Sequence, residues 1–149
     1  MNKIIIIEDD IAICNMIKKF LENNKYSVQY ALNGIEGIHL CKSFVPDLII
    51  LDIMLPRLNG DDVLQKLRKF TNAPVIVVSA KTMVQTKIEL LKMGADDYMT
   101  KPFDLYELLA RIEANLKRTV DNPYQNNNTL IYKDIKIDNS LVYINGVLV

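Results

Sequence analysis

The sequence predicts an α/β fold: a doubly wound sheet of five parallel strands with five helices, followed by a short C-terminal antiparallel β segment. Two observations predict it. Short apolar runs alternate with amphipathic segments from Lys3 to about Arg118, the pattern of repeated strand–helix units around a parallel sheet. The runs are apolar throughout, with no alternation, as strands are when helices cover both of their faces and neither face meets water. A third observation separates the C-terminal part: after Arg118 the composition turns polar and asparagine-rich.

The five runs are Ile4 to Ile7, Val28 to Ala31, Leu48 to Leu51, Val75 to Val78 and the shorter Tyr98-Met99. Between them, apolar residues recur at helical spacing. Ile11, Cys14, Ile17 and Leu21 mark a first helix, with Asp10 placed to cap it; Ile35, Ile38 and Cys41 mark a second; Val63, Leu64 and Leu67 mark a third. Ile88, Leu91 and Val84 mark a fourth. The fifth runs from Leu105 to Lys117, capped by Asp104, with Leu108, Leu109, Ile112 and Leu116 expected to face inward. Residues 1–118 therefore read as one domain and 119–129, which contain Pro123 and a run of asparagines, as a linker. Residues 130–149 read as strands, with Asp138-Asn139 and Asn145-Gly146 as turn dipeptides. Twenty residues bury little core, so this piece is expected to belong to a larger unit.

Half of the 149 residues are apolar and 24% are charged, which is ordinary globular usage and excludes global disorder. Lys and Arg balance Asp and Glu at 18 each, so the chain as a whole lacks the basic footprint of nucleic-acid binding by counterion release. Cys14 and Cys41 fall within helical apolar patterns and read as buried thiols. The N-terminal apolar run is too short for a signal peptide, and nothing approaches a membrane span, so a cytoplasmic location is expected.

In an open parallel sheet, ligands bind beyond the carboxyl ends of the strands. Glu8 and Asp9 follow the first strand, Asp52 the third, Ser79 ends the fourth run, and Lys101 follows the fifth. If the first and third strands are neighbours, three carboxylates converge. Two such charges about 4 Å apart repel by roughly 4 kcal/mol at an effective dielectric near 20, so positive charge is required there. Mg²⁺, which takes one or two carboxylates and keeps several waters, suits such a shallow pocket, and Lys101 adds a fixed cation. A carboxylate beside a divalent ion, an ammonium and a hydroxyl is equipped to attack phosphorus and form an acyl phosphate. Asp52 is the candidate nucleophile, Glu8 and Asp9 the candidate metal holders, and Lys101 and Ser79 the candidate partners of phosphoryl oxygens. Taken singly, each residue has a plainer reading as a helix cap, turn former or solvated charge. Jointly, that set of residue types at successive strand ends is improbable by chance.

These residues lie in five motifs: Ile5-Ile6-Ile7-Glu8-Asp9-Asp10, Pro46 to Pro56 around Asp52, Asn59-Gly60, Val77-Val78-Ser79-Ala80, and Gly94 to Phe103 around Lys101-Pro102. From Lys3 to Arg118 the chain resembles the receiver domains of bacterial response regulators. The resemblance implies a flavodoxin-like fold with strand order 2-1-3-4-5, and Mg²⁺ (or Mn²⁺) held by Glu8, Asp9, Asp52 and the backbone carbonyl of Met54. It also implies a cis Lys101-Pro102 bond, and a switch in which Ser79 moves toward the phosphoryl group while Tyr98 turns inward. A sensor histidine kinase is the implied partner, and the protein is not expected to turn over an external substrate.

The stretch from Lys87 to Arg118 resembles the OmpR/PhoB subfamily, whose activated receivers dimerise through the fourth helix, fifth strand and fifth helix. The matching positions imply cross-subunit pairs of Lys87 with Glu107, Asp97 with Arg111, and Asp96 with Arg118, around Ile88, Leu91 and Ala110. Residues 130–149 resemble the opening strands of that subfamily's winged-helix effector domain. Promoter DNA is accordingly expected to bind only through a complete effector domain that this chain, ending at Val149, lacks. The chain departs from the pattern at Asn59, where an aspartate is common, at Thr86, and at Leu90, where glycine is frequent.

A phosphatase of the haloacid dehalogenase type needs a second carboxylate two residues after the nucleophile, where this chain has Met54. A flavin site needs a phosphate loop after the first strand, where Glu8-Asp9-Asp10 would repel phosphate. A receiver acting as a protein-interaction module without DNA output remains the alternative. His39, the single histidine, is expected on the exposed side of the second helix with no ligand role.

Overall fold

The computed structural model describes residues 1–55, 58–80 and 84–121. Five parallel strands, β1 (Lys3–Ile7), β2 (Ser27–Ala31), β3 (Leu48–Asp52), β4 (Val75–Ser79) and β5 (Asp97–Thr100), alternate with five helices. These are α1 (Ile11–Asn23), α2 (Gly34–Phe44), α3 (Gly60–Leu67), α4 (Val84–Lys92) and α5 (Leu105–Asp121). The sheet order is β2-β1-β3-β4-β5, the flavodoxin-like arrangement expected from the sequence. The expected C-terminal strands lie outside the described residues.

The unbroken apolar character of the central strands has the expected cause. Every residue of β3 and β4 is buried, and the alternate side chains feed two separate cores. Ile5, Ile7, Ile49, Leu51, Val75 and Val77 join Leu64, Leu67 and Leu90 on one face; Ile4, Ile6, Leu48, Ile50, Ile76 and Val78 join Cys14, Ile17, Leu21, Leu108 and Ile112 on the other. Both cysteines are buried and free.

Helix starts follow capping chemistry. The Asp10 carboxylate accepts from the amides of Ala12 and Ile13, Asn33 from that of Glu36, and Asp104 from those of Tyr106 and Glu107. Asn59 makes no side-chain cap, and Asp61 and Asp62 instead place negative charge on the first turn of α3. Gly60 opens that helix because a Cβ there would lie 2.8 Å from the backbone oxygen of Asp52.

Two expectations about α5 need correction. In α4, by contrast, Ile88 and Leu91, which the resemblance places on an apolar dimer patch, are 40% and 47% exposed, and the inward residue is Leu90, 3% exposed. Short helices on a sheet edge bury one narrow stripe, and the outer apolar residues here are a surface feature. In α5, Leu108 and Ile112 are buried, whereas Leu109 and Leu116 are only partly so, and Asn115 takes an inner position. Finally, α5 continues through Asp121, into the segment read as linker. The first proline beyond it is Pro123, which disfavours helical backbone only at Asn122. The chain divides into two compact units, Met1–Leu116 and Lys117–Val149; the first carries the sheet, and the described residues of the second continue α5. None of the described helices is long and apolar enough to cross a membrane.

Candidate functional site

The site grows from the carboxyl ends of β1, β3, β4 and β5. Ile7 stands opposite Leu51 in the sheet register, so the residues that follow them, Glu8 and Asp52, come out side by side. The amide of Glu8 donates to the carbonyl of Ala31, which extends the β1–β2 pairing one residue past the strand and turns Glu8 inward. Glu8 and Asp52 are each 4% exposed, while Asp9 is exposed. On the other side the amide of Lys101 donates to the carbonyl of Ser79 at 2.8 Å, holding the β5 end against β4. The Lys101-Pro102 bond is cis.

The Lys101 side chain spans the gap. Its Nζ lies 2.7 Å from Glu8 Oε1 and 3.1 Å from Asp52 Oδ2. Asp52 Oδ1 accepts from the Met54 amide at 3.0 Å, and Glu8 Oε2 from the Asp10 amide at 3.1 Å. Each carboxylate therefore has one oxygen on the ammonium and one on a backbone N–H. One oxygen each of Glu8, Asp9 and Asp52 lie within 4.8 Å of one another, a spacing compatible with a single hard cation.

Burial pushes the Glu8 carboxyl up to about 7, against the opposing pull of the Lys101 ammonium and the Asp10 amide, with the Asp52 charge adding to the rise. For Lys101, burial works against the charged form, but the bonds to Glu8 and Asp52 outweigh it and its pKa is raised. The Cys14 thiol, which donates to the Glu8 carbonyl at 3.3 Å, is pushed up to about 12, by burial first and then by the neighbouring carboxylates.

Ser79 is fully buried at the end of β4. Tyr98, opposite Val77 in the register, is 8% exposed, so its ring already lies inside the core. The charged residues assigned from sequence to a subunit interface have partners within one chain. Arg111 contacts Asp97 at 2.6 Å and Glu107 at 3.2 Å, and Asp96 contacts Arg68 at 2.8 Å. Lys87 lies over the Tyr98 ring, 5.4 Å from its centroid. Ile88, Leu91, Ala110 and Arg118 are exposed. Met54 is 55% exposed and His39 is exposed.

Sequence reasoning missed two residues. Arg68 donates to the carbonyls of Thr71, Ala73 and Gly94 as well as to Asp96, tying the end of α3 to the turns that enter β4 and β5. Asn115, 2% exposed, donates to Asp97 and to the Arg111 carbonyl. Only the polar intrusion into an apolar helix stripe could have flagged Asn115; nothing local flagged Arg68.

Residues 4–113 match the family model of the response regulator receiver domain. The chain belongs to that family. It is 46% identical over 122 residues to the DNA-binding dual master transcriptional regulator RpaA of Synechocystis, covering 80% of this chain and 51% of that protein. It is 37% identical over 137 residues to the response regulator MprA of a Mycobacterium strain, covering 91% and 60%. The chain thus spans about half to three-fifths of the length of these regulators. Among solved structures, the Francisella response regulator 1452 receiver domain matches with a TM-score of 0.76 at 40% identity, covering 80% of this chain and 99% of that one. A two-component response regulator from Clostridium difficile matches with a TM-score of 0.78 at 34% identity, covering 80% and 98%.

Proposed function

We propose that this receiver accepts a phosphoryl group on Asp52 from a sensor histidine kinase, with Mg²⁺ or Mn²⁺ as cofactor. The observation that carries the reading is the pairing at Asp52: Lys101 holds Oδ2 and the Met54 amide holds Oδ1, which orients a nearly buried carboxylate toward the strand ends. An Asp52 oxygen attacks phosphorus, the bond to the kinase's imidazole nitrogen breaks, and an acyl phosphate forms. Lys101, already between Glu8 and Asp52, transfers its contact to a phosphoryl oxygen, and the Ser79 hydroxyl donates to another. Glu8, Asp9, Asp52 and the Met54 carbonyl hold the divalent ion, whose charge offsets that of the carboxylates and the incoming phosphoryl group. The donor set is all oxygen, which suits Mg²⁺ and not a thiolate-seeking metal.

Ser79 and Tyr98 form the switch, and phosphorylation stabilises the packing in which the Tyr98 ring is buried. Once phosphorylated, the chain pairs with a second copy through α4, β5 and α5, the mode its resemblance to the OmpR/PhoB subfamily implies. The longer protein to which such a receiver belongs controls transcription through an effector domain, in keeping with the similarity to RpaA, a DNA-binding transcriptional regulator. The test is intact mass after incubation with a small phosphoryl donor and Mg²⁺. One phosphoryl group added to wild type and none to Asp52→Asn supports the reading; equal modification of both removes it.

A further inference from the structure

The resemblance to the OmpR/PhoB subfamily implies a subunit contact for Lys87; within one chain its ammonium lies on the Tyr98 ring, and that placement follows from the local fold. β5 is an edge strand, so Tyr98 has β4 on one side and, among the described residues, no sheet strand on the other. Its ring is kept from water by the core residues beneath it and by α4, which packs on β5. On α4, Lys87 precedes Leu90 by three residues, so the two share a helix face, and Leu90 is the residue that face sinks into the core. Lys87 is only half-exposed, and its charge lies 5.4 Å from the ring centroid. That distance is within the range in which an ammonium is attracted to an aromatic face, more strongly where water is partly excluded.

We infer that Lys87 is a positioning residue for Tyr98: its ammonium clamps the ring in the buried orientation and makes the α4 surface report where that ring stands. The inference rests on the reading of Tyr98 as a switch for its biological meaning, but not for its geometry. An outward ring forfeits the contact, so the ammonium biases the equilibrium toward the inward ring by roughly fivefold, the factor typical of such a contact. The coupling is reciprocal: whatever fixes Tyr98 inward also fixes Lys87, at the border between the buried face of α4 and the exposed face that carries Leu91 one turn on.

The test is ring-labelled tyrosine NMR of the full chain, with the Tyr98 signal assigned by its loss in Tyr98→Phe. Lys87→Met keeps the stem and removes the charge, and Lys87→Arg keeps a cation that also sits on aromatic faces. The expected result is a shifted or exchange-broadened Tyr98 signal in Lys87→Met, reporting about a fivefold rise in the outward ring, and a wild-type signal in Lys87→Arg. A merely structural role for the stem would leave both variants alike. A Tyr98 signal in Lys87→Met that coincides with wild type, or an equal change in both variants, overturns the inference. A Tyr98 signal that responds to Lys87→Met but not to a phosphoryl donor would remove the switch reading and leave the clamp standing.

Discussion

Replacing Lys101 by methionine keeps the stem and deletes the ammonium that lies 2.7 Å from Glu8 and 3.1 Å from Asp52. Two nearly buried carboxyl groups then face each other without their cation, and removing one partner of such a buried pair costs roughly 3–5 kcal/mol. Glu8 has an escape, because it can keep its proton. Its carboxyl is pushed up to about 7 from an ordinary value of 4.5 with Lys101 present, and loss of that hydrogen bond pushes it further up. A carboxyl whose pKa is higher folded than unfolded takes up a proton on folding. Stability then falls as pH rises from the unfolded pKa to the folded one, by about 1.4 kcal/mol for each pH step of one between them, and stays low above it. In wild type that fall ends near pH 7; in Lys101→Met it continues to higher pH. The variant should therefore be less stable than wild type by about 1 kcal/mol near pH 6, where the loss falls chiefly on the Asp52 contact, and by about 3 kcal/mol near pH 9. Urea unfolding with a chelator present measures both differences, provided the slope against denaturant is unchanged. A deficit equal at the two pH values, or larger at the lower one, refutes the reasoning.

Packing and backbone geometry set three more expected outcomes. Leu90→Ala should cost about 2–3 kcal/mol in denaturant unfolding, and Leu91→Ala less than about 0.5 kcal/mol, because only Leu90 is buried. Comparable losses would mean that α4 turns a different face to the core. Val45 caps α2 at φ 52° while 64% exposed, a strained backbone for a β-branched residue with little packing to lose. Val45→Gly should raise the unfolding free energy by about 1 kcal/mol, and a decrease would show that the strain is imaginary. Cys14 and Cys41, both buried with thiol pKa pushed up to about 12, should resist an alkylating reagent near neutral pH in the native protein and react fully once unfolded. Rapid native labelling, read by mass, would contradict that burial.

The sheet and its strand ends were legible because fully covered strands leave a run that only helices on both sides can explain, as Leu48 to Leu51 does. Glu8, Asp9, Asp52 and Lys101 were legible because topology alone delivers strand ends to one edge. The burial of Leu90 in α4 was not legible, because Leu90 and Leu91 are the same residue type; it joins Ala95 and Tyr98 in one core cluster. Asp97 and Arg111 were legible as a pair, and they are joined within one chain here; charge complementarity carries no information about which copy supplies the partner, so the pairing across subunits is a proposal. Arg68 was invisible because most of its hydrogen bonds go to backbone carbonyls, which every residue owns. The Met54 amide on Asp52 was hidden for the same reason.

The most direct measurement of the central claim is the position of the covalent change. After reaction with a phosphoryl donor and Mg²⁺, reduction with borohydride converts an acyl phosphate to an alcohol in place, and peptide mass spectrometry locates it. The account predicts the reduced residue at Asp52, lost when Mg²⁺ is withheld; a trapped site at Glu8, Asp9 or any residue away from the β3 end would contradict it.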